Sequence, residues 1–277
     1  MSGALLLLAL ALYLLATMTF VSVIVTADGG PPREGLRRAA HVLLALAFGM
    51  HVAHLLVRGL LLGYGAVATF QDELSFIACI MVGLYLLTAL RANLTVVGAL
   101  VTPLAFLFSL SAYAFNARPA ELLPQLQTIW LPAHVAPAFL GYAVFAIAFC
   151  LSLIYLLQEK QLKAKRKGNL FRRLPSLETL DNLNYRFVSW GFALFTIGLI
   201  TGSLLARQTW GQLWSWEPVE VLSLITWLLY AGLLHARTVG WRGRKAATLT
   251  ILGFVVVVAS FVGVNLIFPG KHGGTFG

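Results

Sequence analysis

A cluster of tryptophan and glutamate side chains makes the stretch 207–220 the best candidate for a ligand site in this sequence. Trp210, Trp214 and Trp216 fall within 7 residues, although the whole chain holds only 7 tryptophans. Because Trp210 and Trp214 are four residues apart, they share a face on a helical turn. Tryptophan is also enriched at membrane interfaces, so an aromatic belt is one interpretation. Three indoles beside acidic groups favour a flat stacking platform for a large planar ligand with polar edges.

Two acidic residues follow the tryptophans at the start of an apolar segment. Pro218 suits the first turn of a helix, because its fixed φ and missing N–H are no disadvantage there. Glu217 and Glu220 then lie near the positive end of the helix dipole. These carboxyl groups can cap the helix, orient the tryptophans or bond to the edge of a ligand, and the sequence leaves the three roles open.

Six histidines are the candidate metal ligands, and two of them flank the tryptophan stretch along the chain. His134 opens one apolar segment and His272 lies just past the last one, so neither belongs to a tight metal motif. Two separated neutral imidazoles beside an aromatic shelf fit haem better than zinc. Haem brings four nitrogen ligands of its own and needs only one or two axial groups. For each histidine taken alone, an ordinary interfacial residue is the alternative.

A second polar group lies along one apolar segment. His51, His54 and Arg58 follow spacings of three and four residues, so they line one stripe of a helix. Arg58 can extend to the headgroups, or it can clamp a carboxylate with its planar donor fork. His41 and His235 lie near the opposite membrane boundary, where they mark either a second ligand position or interfacial residues.

The composition places all these residues in a membrane protein. The 277 residues are 59% apolar and 11% charged, whereas soluble domains carry about 25% charged residues. This excludes a water-soluble enzyme, a nucleic-acid-binding protein and a disordered chain. Cys79 and Cys150 lie in separate apolar segments without a C-x-x-C pair, so the sequence indicates no disulfide framework and no thiol-exchange site.

Eight apolar segments are long enough to cross the bilayer as helices, since about 20 residues suffice. They cover residues 4–26, 40–62, 74–90, 95–114, 134–157, 187–206, 221–236 and 246–268. The sequence therefore predicts an all-α polytopic membrane protein, with residues 1–277 as a single integral membrane domain. The first segment is too long for a signal-peptide core and lacks a cleavage pattern, so we expect it to be retained.

Basic residues predict the orientation of these helices, because lysine and arginine collect in cytoplasmic loops. Sixteen of the 20 lie after odd-numbered segments, eight of them in the basic loop 158–186, and three lie on the opposite side (Arg118, Arg207, Lys271). Both termini are therefore expected outside the cytoplasm. The same side receives His134, the tryptophan loop 207–220 and His272, whereas His235 lies at the cytoplasmic end of its segment.

The tryptophan loop and the segment after it resemble a known signature. The pattern Trp210-Gly-x-x-Trp214-x-Trp216-Glu-Pro-x-Glu220, continued to His235, is similar to the WWD motif of the CcsA/ResC cytochrome c assembly family. The family usually has Asp at the position of Glu217. Such departures leave room for a divergent branch, the HemX-like membrane regulators of haem biosynthesis, which sense haem or tether an enzyme.

Other motifs match the same family. Leu131-x-x-His134-Val and His272-Gly resemble its two outer histidine motifs, and His51-x-x-x-Leu55-x-x-Arg58 resembles its second-helix motif. The resemblance implies that haem b is held on the outer face by two axial histidines and presented to apocytochrome c, whose thiols add to the haem vinyl groups. It makes His134 and His272 the axial ligands. The other binding residues that it implies are Trp210, Trp214, Trp216, Glu217, Glu220, His51, Arg58 and, for an inner haem, His235.

The resemblance also implies partner proteins and a membrane location. A CcsB-type membrane partner is expected to supply the second inner histidine and to form a cytochrome c haem lyase with this chain. The cysteines of this chain lie within the bilayer, so the reacting thiols come from apocytochrome c, and a thiol-reducing protein is a further expected component. We expect a multi-pass protein of the inner or plasma membrane, or of the thylakoid membrane if the gene is plastid-encoded.

Overall fold

A computed structural model describes residues 2–25, 34–63, 69–90, 94–114, 126–165 and 174–267, with side chains from 3 to 261. These residues form eight α-helices and no strand. The helices are α1 (Ser2–Val25), α2 (Glu34–Leu62), α3 (Phe70–Ala89), α4 (Thr95–Ala114), α5 (Trp130–Lys163), α6 (Leu177–Trp210), α7 (Pro218–Thr238) and α8 (Arg244–Ile267). All eight are long and apolar enough to span a membrane, which confirms the predicted all-α polytopic architecture.

Helices α5 and α6 are longer than their apolar segments. Each has 34 residues and therefore measures about 51 Å at 1.5 Å per residue, whereas the hydrocarbon layer is about 30 Å thick. Polar residues such as Lys163 and Glu178 continue the helices past the lipid. The ends of both helices consequently project beyond the apolar layer.

Helix α5 connects the two halves of the bundle. It packs along α6 and against α8, and it also contacts α3 and α4 of the first half, where α1 packs on α2 and α4. Most side chains between Ala143 and Ile154 of α5 are buried. Because α5 contacts helices of both halves, residues from both halves can lie at a common site.

Glycines allow α5 and α6 to approach closely. A Cβ atom on Gly141 would lie 3.1 Å from the backbone nitrogen of Phe195, and one on Gly198 would lie 3.1 Å from Cα of Ala138. Small residues that bring helix backbones together are typical of membrane interfaces. The α5–α6 pair is thus a tight scaffold for the side chains at its end.

Candidate functional site

A cavity opens at one end of the bundle, where α3, α5, α6, α7 and α8 meet. Its empty volume is about 1040 Å³, including the part open to the surroundings. The wall is mostly apolar. The polar side chains in it are Glu73, His134, Tyr142, Ser203, Trp214, Glu220, Ser223 and Ser260. Three predicted site residues, His134, Trp214 and Glu220, therefore line one cavity.

His134 reaches from α5 to the backbone of α6. Its Nδ1 lies 2.8 Å from the carbonyl oxygen of Gly198. A carbonyl oxygen can only accept, so Nδ1 carries a proton, and whenever the ring is neutral its lone pair is on Nε2. Metal-binding histidines are commonly held in this way, with one ring nitrogen donating to a backbone carbonyl. His134 thus has the tautomer of a ligand that binds through Nε2.

Helix α6 continues past its predicted apolar segment, which ends at residue 206, but it stops before Trp214. Its last residue is Trp210, and Gly211 adopts a left-handed φ of 78° with its N–H donating to the carbonyl of Arg207. Glycine takes this conformation without the steric cost of a Cβ atom, which is why it commonly ends helices. Trp214 therefore lies outside the helix, and the prediction that Trp210 and Trp214 share a helical face is wrong.

The rings of Trp214 and Trp216 stand edge to face. Their centroids are 6.0 Å apart and their planes are at 83°. Trp216 has a positive φ of 59°, which is uncommon for a residue other than glycine, and its side chain is 72% exposed. Of the three tryptophans only Trp214 lines the cavity. These two rings therefore form a corner, not the flat shelf that the sequence suggested.

The indole nitrogen of Trp214 is a buried donor without an acceptor among the described residues. The indole N–H can only donate, and a buried polar group left unpaired costs about 1–3 kcal/mol. Since the side chain lines the cavity, an acceptor on a bound molecule can complete this hydrogen bond.

Glu220 holds the tryptophan loop to the start of α7. Its carboxylate accepts from the N–H and the hydroxyl of Ser215, at 2.7 and 3.1 Å, and from the N–H of Glu217, at 3.3 Å. Glu217 is the N-cap residue and Pro218 opens the helix, as predicted. The bond from Glu220 back to the N-cap N–H belongs to a capping box. Of the three roles left open by the sequence, Glu220 therefore caps the helix and orients the loop.

Glu73 lines the same cavity. It follows the second-helix motif in the sequence but was not predicted as a binding residue. It lies in the first turn of α3 beside Asp72, whose carboxylate accepts from Arg58 at 3.0 Å and from the hydroxyl of Thr69 at 2.7 Å. These bonds tie the start of α3 to the end of α2. An ionisable side chain in a membrane span is usually functional, and this signal was missed because the apolar segment was taken to begin at residue 74.

Arg58 and His51 are not among the residues that line the cavity. The carboxylate that Arg58 binds is that of Asp72, in a largely buried ion pair. His51 is fully buried, with Nδ1 3.0 Å from the Tyr13 hydroxyl and Nε2 2.8 Å from the Ser75 hydroxyl. Both side chains therefore connect helices in the first half of the bundle.

The remaining predicted residues are spread over the chain. His235 is exposed in the last turn of α7, at the end opposite to the cavity. His272 lies outside the described residues. Cys79 and Cys150 are free and buried, as expected for thiols inside apolar segments.

Known sequences match most of this chain. Residues 67–272 match the family described as cytochrome C assembly protein, a range that includes every cavity residue named above. The chain is 36% identical to a cytochrome c biogenesis protein CcsA from Guillardia theta, over 76% of each chain. It is 32% identical to a CcsA protein from Microcystis aeruginosa, over 81% of this chain and 85% of that one.

A third relative is a CcsA protein from Chlamydomonas reinhardtii, 35% identical over 83% of this chain and 67% of that one. These relatives favour cytochrome c biogenesis over the HemX-like alternative. A role in this process implies haem handling and contact with apocytochrome c and other assembly components. The chain is a multi-pass membrane protein with a role in cytochrome c biogenesis, and it belongs to the cytochrome c assembly family.

Proposed function

We propose that this protein binds haem b in the cavity between α3 and α5–α8 and presents it to apocytochrome c for attachment. One observation carries this proposal: His134, with its proton fixed on Nδ1 by the Gly198 carbonyl, lines the same cavity as Trp214 and Glu220. An imidazole with its lone pair on Nε2 is suited to bind haem iron as an axial ligand.

The other cavity residues also suit haem. Phe139, Leu199 and Phe261 are among the apolar side chains of the wall, and such groups can cover the faces of a porphyrin. The unpaired indole N–H of Trp214 can donate to an acceptor on the haem edge, such as a propionate carboxylate. Haem supplies the vinyl groups to which thiols add, and the chain itself supplies binding and orientation.

We propose His272 as the second axial ligand. Helix α8 contributes Ser260 and Phe261 to the cavity wall and ends at Ile267, so the chain that leads to His272 starts beside the cavity. A ligand on this tail would complete a pair with His134.

The cavity end of the bundle is proposed to face away from the cytoplasm. Support comes from the opposite end, where α7 finishes and α8 begins with Arg237, Arg242, Arg244 and Lys245. Such clusters are typical of cytoplasmic loops. In this orientation haem is presented on the side where c-type cytochromes receive it.

The inner histidine is proposed to act with a second chain. His235 is exposed on α7, which packs mainly on α6 and α8 and reaches α5 where Tyr230 stacks on Phe145. A CcsB-type partner can therefore approach this side chain from outside the bundle. The proposed address is the inner or plasma membrane, or the thylakoid membrane of a plastid, where the two chains would act as a haem lyase.

An absorption spectrum of the protein purified from haem-replete cells tests the proposal. The wild type is expected to show a Soret band that is lost or shifted in His134→Ala and in His272→Ala. Lys245→Ala is a control, because Lys245 is exposed at the start of α8, at the end opposite to the cavity. Wild-type spectra in both of the first two variants would overturn the axial assignment.

A further inference from the structure

We infer that Gly198 and Gly202 of α6 form a seat for the ring of His134 and determine the direction of its Nε2. The two glycines, here named the glycine seat, are positioning residues. Their role rests on the proposed function, because it takes Nε2 of His134 as the nitrogen that binds the haem iron. The new element is the part of α6 that positions the His134 ring.

Gly202 provides the space that the ring occupies. A Cβ atom built on Gly202 would lie 2.7 Å from Cε1 of His134, 2.8 Å from Nδ1 and 3.5 Å from Cγ, and these are its three nearest atoms. Distances below 3.0 Å essentially never occur for real Cβ atoms. An alanine at this position would therefore displace the imidazole, and no other group stands as close.

Gly198 provides the acceptor that fixes the tautomer. Its carbonyl oxygen accepts from Nδ1 of His134 at 2.8 Å and from the Thr201 hydroxyl at 3.1 Å. The missing side chain lets α5 approach, since a Cβ atom on Gly198 would lie 3.1 Å from both Cα and Cβ of Ala138. Without that approach the carbonyl and the ring would be too far apart for a short hydrogen bond.

The two glycines act on the same ring because they are four residues apart and so share a face of α6. One fixes which nitrogen carries the proton, and the other fixes where the ring lies against the helix. Together they leave the imidazole little freedom to rotate away from the cavity. Loss of such an outer contact commonly weakens metal binding by about 10–100-fold.

The test begins with Gly202→Ala in the full-length protein. Haem affinity is measured by titration, and axial ligation is measured by electron paramagnetic resonance of the ferric form. We expect about 10–100-fold weaker haem binding and loss of the low-spin bis-histidine signal. Gly232→Ala is the control, because no atom lies within 4 Å of a Cβ at that site in α7. A wild-type affinity and signal in Gly202→Ala would overturn the inference.

A double-mutant cycle separates the seat from general packing. In a His134→Gly background there is no ring for the alanine to meet, so Gly202→Ala is expected to cause no further loss of haem affinity. A further loss as large as in the wild type would contradict a role through His134. If Gly202→Ala alone does not accumulate in membranes, recovery in the double variant supports the seat and continued failure contradicts it.

The outcomes also distinguish the two proposals. Unchanged haem binding in His134→Gly would overturn the proposed function itself. Loss of haem in His134→Gly together with normal binding in Gly202→Ala would leave that function intact and remove only the glycine seat.

Discussion

The carboxylate of Glu220 accepts a hydrogen bond from the backbone N–H of Ser215 at 2.7 Å, and so joins the first turn of α7 to the tryptophan loop. Two further donors, the Ser215 hydroxyl and the Glu217 N–H, converge on the same carboxylate. Trp216 in this loop has a positive φ. A non-glycine residue keeps such a conformation only where surrounding bonds hold the backbone in place. The shape of the cavity wall at Trp214 therefore depends on a residue that need not touch the ligand.

Glu220→Gln is expected to lower stability. The amide oxygen of glutamine can still accept from the two backbone N–H groups and its nitrogen can donate to the Ser215 hydroxyl, but the negative charge is lost. Hydrogen bonds to charged groups contribute about 1.5–3 kcal/mol each, against about 0.5–1.5 kcal/mol for neutral ones. Thermal unfolding in detergent should show a lower Tm. Glu178→Gln is a matched control, because Glu178 is also in the first turn of a helix and is exposed. Equal Tm values for the two variants would contradict the capping role.

Trp214→Phe is expected to weaken haem binding without a loss of stability. Phenylalanine keeps an aromatic ring in the wall but removes the buried N–H that lacks an acceptor, so the apoprotein loses an unfavourable group. Haem titration should give a higher Kd, by about 10-fold for a lost bond of about 1.4 kcal/mol. Trp216→Phe, at an exposed position, should leave the Kd unchanged. An unaltered Kd in Trp214→Phe would show that the indole N–H makes no bond to haem.

Glu73→Gln is expected to maintain or raise the Tm while it lowers the yield of mature cytochrome c. No hydrogen bond or ion pair joins the Glu73 side chain to another described residue, and a polar side chain in an apolar wall is unfavourable without a partner. Groups that reduce stability are retained where function needs them. Holocytochrome c in membranes, measured by haem staining, reports the function. A lower Tm with normal maturation would assign Glu73 a structural role.

Arg58→Met is expected to destabilise the protein strongly, because it leaves Asp72 buried without its cation. Removal of one partner of a buried pair commonly costs about 3–5 kcal/mol. The double variant Arg58→Met/Asp72→Leu should recover much of the Tm. Haem affinity in this double variant then separates two roles for Arg58. Wild-type affinity would restrict it to the ion pair, and reduced affinity would support the predicted part in haem binding.

The number and type of the elements could be predicted from the sequence because runs of about 20 apolar residues are a strong signal. The start of α7 could be predicted as well, since Pro218 and the adjacent glutamates mark a helix N-terminus. The end of α6 could be predicted only to within a turn. The apolar segment ends at residue 206, whereas the helix runs to Trp210 and stops at the left-handed Gly211.

The membership of the cavity wall was only partly predictable. His134, Trp214 and Glu220 carry side chains unusual enough to be selected by type. Glu73 reaches the wall because α3 packs on α5, a contact between distant parts of the chain. Helices that are apolar on every side carry little information about which face meets which neighbour. For the same reason the role of Gly202 could be recognised only in the structure, from its short distance to the His134 ring.

The burial of both native cysteines, at 5% exposure for Cys79 and 0% for Cys150, has a practical consequence. Thiolate is the species that reacts with alkylating reagents, and neither sulfur is open to a water-soluble maleimide. Single-cysteine scanning can therefore use the natural sequence, because the two native cysteines are not expected to be labelled. One new thiol at position 216 and another at position 242, each probed on intact cells, would report which leaflet each end of the bundle faces.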